Sequence, residues 1–88
     1  MSSIKRPKQH FDMVECIWED ACDLPQGWKS GKTKADPHYV ISAGFLVNQT
    51  VKHLILAIDA DLEANHNGRT QIPMGMVKQI KVLRKADK

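Results

Sequence analysis
The densest run of potential ligand oxygens is Asp59-Ala60-Asp61-Leu62-Glu63-Ala64-Asn65-His66-Asn67, which sets an oxygen-bearing side chain at every second position. Hard cations such as calcium are held by clusters of this kind. Two positions of the calcium-loop template fail, however. The sixth needs glycine for its sharp turn and is Ala64; the twelfth needs a bidentate glutamate and is Thr70. A solvated loop between strands is the better reading. The sulfur and imidazole ligands are no more convergent. Cys16 and Cys22 are too far apart for the closely spaced cysteine pairs of structural zinc sites, and His10, His38, His53 and His66 are scattered. Cys16 falls in an apolar alternation and reads as a small core residue. Cys22 lies close to Asp20 and Asp23, whose charge disfavours the thiolate.

Nucleophile and acid–base arrangements are equally incomplete. Ser42 next to Gly44 lacks the G-x-S-x-G spacing of a nucleophile elbow. Glu15 and Glu19 would share one face of a strand about 13 Å apart, too wide for a glycosidase pair, and with Asp20 they read as solvated acids. Gly31-Lys32-Thr33 matches the end of a phosphate-binding loop. The glycine that should open the motif is Gln26, and Asp36-Pro37 stops any following helix. No metal, cofactor or catalytic set is therefore expected, and the chain reads as a non-enzyme.

Two surfaces remain. The first is the segment around Trp28, with Lys29, Lys32 and Lys34 and the acids Glu19, Asp20 and Asp23 beside it. An aromatic among charges suits a hot spot for a protein partner, or a base stacked above neutralised phosphate. The plain alternative is a tryptophan that covers one end of the fold. The second surface is formed by the two ends of the chain. The net charge of +3 on 88 residues divides into +3 over residues 1–10, −4 over 11–77 and +4 over 78–88. Lys5, Arg6, Lys8 and His10 could join Lys78, Lys81, Arg84 and Lys85 in one positive patch that attracts phosphate, or the lysines could serve only solubility and the guarding of strand edges.

These residues must be positioned by short strands. Phe11 to Trp18 alternates, with Val14, Cys16 and Trp18 on one side; a helix fits less well, because Val, Ile, Trp and Phe favour pleated surfaces. Residues 19–37 hold two prolines, two glycines and many charges, and read as a long loop. His38 to Val47 is the clearest strand; Tyr39, Ile41, Ala43, Phe45 and Val47 form a continuous apolar face, and Gly44 on the other face suggests a bulge, a bend or a close backbone approach. Asn48-Gln49-Thr50 predicts a hairpin turn, and Leu54 to Ile58 a buried strand. A polar loop over 59–69 with Asn67-Gly68 as its turn precedes a short strand over Thr70-Gln71-Ile72. Pro73 ends that strand, Met74-Gly75-Met76 makes a tight turn, and Val77 to Leu83 forms the last strand. The domain plan is a flexible basic arm over 1–9, one small β-domain over 10–84 and a basic tail over 85–88.

No apolar run approaches the length of a membrane span, no secretory leader pattern opens the sequence, and two cysteines make no disulfide scaffold. The hydrophobic content of 42% is enough for one small core.

The order strand, long loop, strand, tight hairpin, strand, loop, short strand, one-turn connector, strand resembles an SH3-like barrel over residues 10–84. The acidic-aromatic signature of proline-binding SH3 domains is missing, so that activity is not carried over. The chain also resembles short phage-encoded proteins of unassigned function through Ile17-Trp18-Glu19-Asp20-Ala21, Val40-Ile41-Ser42-Ala43-Gly44-Phe45-Leu46 and Ile72-Pro73-Met74-Gly75-Met76-Val77-Lys78-Gln79-Ile80. This resemblance implies an accessory protein in the host cytoplasm. The expected function is a binding module that engages a host or phage protein, and inhibits it, through Trp28, Glu19, Asp20, Asp23, Lys29 and Lys32. The alternative is nucleic-acid binding through Lys5, Arg6, Lys8, Lys78, Lys81, Arg84 and Lys85. A homo-oligomer paired through a free strand edge is a further option.

Overall fold
A computed structural model describes residues 6–20 and 37–88. The described chain is all-β. It has strands β1 (Met13–Asp20), β2 (His38–Gln49), β3 (His53–Ala60), β4 (His66–Pro73) and β5 (Val77–Arg84), with one 3-10 turn, Met74–Met76, before β5. All pairings are antiparallel, and the strands lie in one sheet in the order β4-β3-β2-β1-β5.

The core explains why this sheet is curled. Val14 and Cys16 of β1 pack in one cluster with Leu54 and Leu56 of β3 and Ile72 of β4, strands that are not hydrogen-bonded neighbours of β1. Only a sheet bent over its own inner face brings those side chains together. Irregularities in pairing supply the bend. Val47 is an extra residue of β2 between the pairs Leu46–Leu56 and Asn48–Ile55. Lys78 and Leu83 are extra residues of β5 against β1. Trp18, Leu46, Met74, Val77 and Ile80 close around the cluster.

The strand reading of β1 holds, with Val14, Cys16 and Trp18 inward as the alternation predicts. The inward face of β2 is not its continuous apolar one. Tyr39, Ile41 and Ala43 are exposed, while Val40, Ser42, Gly44 and Leu46 turn toward the core side. Two local facts account for this. Ser42 Oγ accepts the indole N–H of Trp18 at 3.0 Å, so the hydroxyl serves an inward-facing ring. At Gly44 the backbone of β3 passes so close that an added Cβ would lie 2.7 Å from Ala57 O.

The loop before β4 also differs. Asn67-Gly68 is not a turn but lies inside β4, opposite Ile58, and β4 begins at His66. Gly68 does adopt φ +67°, and a Cβ there would meet Ile58 Cδ1 at 3.1 Å, so the glycine accommodates a neighbouring strand. The turn is made earlier by Asp61. Its Oδ1 accepts the N–H groups of Glu63 and Asn65, both at 2.9 Å, and Ala64 takes the left-handed conformation at φ 64°. The β2–β3 turn is held likewise by Thr50, whose Oγ1 accepts from Lys52 N and His53 N. Lys52 O in turn accepts from Met74 N at 2.8 Å, which fastens the 3-10 turn to this hairpin.

Candidate functional site
The two ends of the described chain are joined by a clasp centred on Gln9, the one buried polar residue among those described. Its backbone N–H donates to Asp87 Oδ2 at 2.8 Å, and Asp87 N returns a bond to Gln9 O at 2.8 Å. The side-chain amide donates to Phe11 O at 2.9 Å and to Arg84 O at 3.2 Å. Its carbonyl oxygen receives two guanidinium groups, Arg84 Nε at 2.8 Å and Arg6 Nη2 at 3.0 Å. A further bond, Ala86 N to Asp12 Oδ1 at 2.7 Å, extends the clasp. Every polar atom of the Gln9 amide is thus used, which offsets the cost of burying it.

The electrostatic result is a positive cluster. Arg6, Lys8 and Arg84 all bear on the carboxylate of Asp87, whose pKa lies below the ordinary value. The largest cause is the Gln9 N–H, with those three cations adding to it. Arg84 Nη2 stands 3.7 Å from Asp87 Oδ1. Three cations face this one carboxylate.

Not all the basic residues of the two ends belong to that cluster. Lys78 lies at the start of β5 and forms an ion pair with Glu19, Nζ to Oε2 3.2 Å. Lys81 stands opposite Glu15 in the β1–β5 register. Lys85 follows β5 directly and is exposed. Lys5, Trp28, Asp23, Lys29 and Lys32 lie outside the described residues. Asp20 ends β1 opposite His38, and Glu19 stands opposite Tyr39.

Beside the clasp is a cleft of about 320 Å³ between residues 6–10 and residues 60–62, with Phe45 between them. His10 Nε2 donates to Leu62 O at 2.6 Å and ties the two walls together. Asp61 is the acidic residue of this cleft. Its carboxylate is held below the usual range, first by the backbone N–H of Asn65, then by the Asn65 side chain and the Glu63 N–H, and also by the nearby His10. Next to it, Phe11 meets His66 edge-on, with centroids 5.9 Å apart, and His66 Nδ1 is buried without a partner.

Gln9, Asp87 and the cleft were not legible as site residues. Gln9 sits between Lys8 and His10 in what reads as an arm, and its partners Arg84 and Asp87 are 75 and 78 positions away. No local pattern signals such a pairing. Among the described residues, no three His, Cys, Asp or Glu side chains gather as a metal site, and no helix is long and apolar enough to cross a membrane. Comparison with family models, curated proteins and solved structures returns no match.

Proposed function
We propose that the chain is a small non-enzymatic binding module on an SH3-like barrel, and that the face carrying the clasp binds the phosphate backbone of nucleic acid. The strand order β4-β3-β2-β1-β5 and the single 3-10 turn before β5 support the barrel. The resemblance to phage-encoded proteins supports an accessory role in the host cytoplasm. The observation that carries the ligand is the convergence of Arg6 and Arg84 on the Gln9 carbonyl oxygen, with the exposed Lys8 beside Gln9 in the chain. Set against the carboxylates of Asp87 and Asp12, these three cations leave one net positive charge, and a positive surface attracts phosphates and releases their counterions. The test is anisotropy of labelled DNA and RNA at rising salt. Three phosphate contacts give a slope of log affinity against log salt of roughly −2 to −3. Arg6→Glu with Lys8→Glu, which leaves Arg84 on Gln9, should weaken binding by at least about tenfold. The absence of binding to any probe at low salt overturns the reading.

A protein partner, host or phage, is the second reading. Tyr39 and Ile41 favour it: they are 57% and 67% exposed on one outer face of β2, opposite Glu19 and Ile17 of β1. An apolar pair rimmed by acids suits a protein interface, and inhibition of the captured protein would follow from its occupancy. Affinity capture from host lysate with and without nuclease separates the readings. A protein retained after nuclease and lost in Ile41→Asp supports the second. Capture that vanishes with nuclease excludes it.

A further inference from the structure
The cleft beside the clasp has a composition that neither reading uses. Phe45, Ala60, Leu62 and Pro7 give it apolar walls, and Arg6 and Lys8 stand on its rim. Asp61, its acidic residue, is fully engaged: Oδ1 accepts two backbone N–H groups and Oδ2 accepts Asn65 Nδ2 at 3.2 Å. These neutral donors keep Asp61 ionised, so Arg6 and Lys8 set against it leave the cleft one net positive charge. Its volume of about 320 Å³ is at the small end for ligand sites. Leu62 is 61% exposed, so an apolar wall waits in contact with water.

An occupant that complements this cleft has a flat apolar body and an anionic group beside it. We propose that the cleft seats one unpaired base of a nucleic acid, with its phosphate on Arg6 and Lys8, so that the strand bound is single. This deepens the nucleic-acid reading and rests on it. Arg6 links the two features. Its Nη2 bonds the buried Gln9 carbonyl at 3.0 Å, and the same residue lines the cleft. Duplex DNA keeps its bases stacked and paired, and could use the cations but not the cleft. Stacking a base on an aromatic or apolar platform adds affinity without demanding a particular sequence.

Three labelled probes of equal length test this: a single strand, its duplex, and a single strand whose sugars carry no bases. The wild-type protein should bind the single strand roughly tenfold tighter than the other two. Leu62→Asn, at an exposed loop position, should erase that preference and leave duplex binding unchanged. Phe45→Leu should reduce it in the same direction, with a thermal melt showing that the domain remains folded. If the base-bearing and base-free strands bind alike, the cleft is not a base site, although the phosphate surface stands. If no probe binds, both proposals fall together.

Discussion
Gln9 and Asp87 exchange two hydrogen bonds of 2.8 Å across 78 positions of sequence, one from backbone to side chain and one from backbone to backbone. This pair closes the fold at the place where β1 and β5 lie side by side. It also explains how like charges come to share one face. The Gln9 carbonyl accepts from Arg6 and Arg84 at once, and the Asp87 carboxylate offsets part of their repulsion.

Gln9→Ala should be costly for a residue so near one end. It removes the acceptor from two guanidinium groups and the donor from the carbonyls of Phe11 and Arg84. Buried groups left without partners cost about 1–3 kcal/mol. The expected loss is roughly 2 kcal/mol, read as a lower urea midpoint with an unchanged slope. Gln9→Glu should not rescue it, because a carboxylate cannot donate to those carbonyls. An unchanged midpoint would contradict the role given to the clasp.

Acid should loosen the clasp and the Asp61 turn together. Both carboxylates have folded-state pKa values below their unfolded value of about 3.9, Asp87 chiefly through the Gln9 N–H and Asp61 chiefly through the Asn65 N–H. Their contribution is fully present above the unfolded value and is lost as pH falls through the lower folded values. A urea midpoint followed from pH 6 down to pH 2 should fall over that acid range. Asp87→Asn and Asp61→Asn should each flatten part of the fall. Equal acid limbs in all three proteins would refute the assignment.

Gly44 and Gly75 should differ sharply in their tolerance of alanine. At Gly44 the new methyl would lie 2.7 Å from Ala57 O, a backbone atom in the middle of the sheet, whereas at Gly75 nothing stands within 4 Å. Gly44→Ala should destabilise by roughly 1–3 kcal/mol, and Gly75→Ala by little or nothing. Thermal melts of the two variants make the comparison.

Cys16 should be inert until the domain unfolds. The side chain is fully buried in the core, and burial pushes its thiol pKa up, so neither access nor thiolate is available. In a Cys22→Ser background, alkylation of the remaining thiol should be negligible in buffer and rapid in denaturant. Fast labelling of the native protein would mean that β1 is not held in the core as described.

The strands were largely legible, and the face of β2 was not. Alternation identified β1 with its inward Val14, Cys16 and Trp18, because a core of that size accepts those side chains in any nearby register. In β2 the more apolar side is not the inward one. Tyr39 and Ile41 carry more apolar surface than Ser42 and Gly44, yet the inward side needed a hydroxyl for the Trp18 indole and a residue without a side chain beside Ala57. The glycine itself signals a close backbone approach, as found at Ala57, but the need for a hydroxyl arises from Trp18 on another strand and leaves no mark on β2. The same holds for Gly68, whose left-handed conformation reads as a turn but serves contact with Ile58. The two basic ends suggested a shared positive patch, but the neutral Gln9 that receives both Arg6 and Arg84 was not legible, because its partners Arg84 and Asp87 lie at the other end of the described chain.

The place of β1 between β2 and β5 has a consequence for the order of events in synthesis. Its two neighbours are β2 and β5, and the second of these is drawn from the far end of the described chain. While a ribosome is still extending the polypeptide through β4, one whole edge of β1 has no strand to pair with. Ile80 and Val77, which cover the core, have yet to arrive. Pairing at such long range is intrinsically slow to form. The nascent β-meander of β2, β3 and β4 must therefore wait, partly open, until Arg84 emerges, and a chain stalled before that point would display β1 as an unprotected edge open to wrong partners.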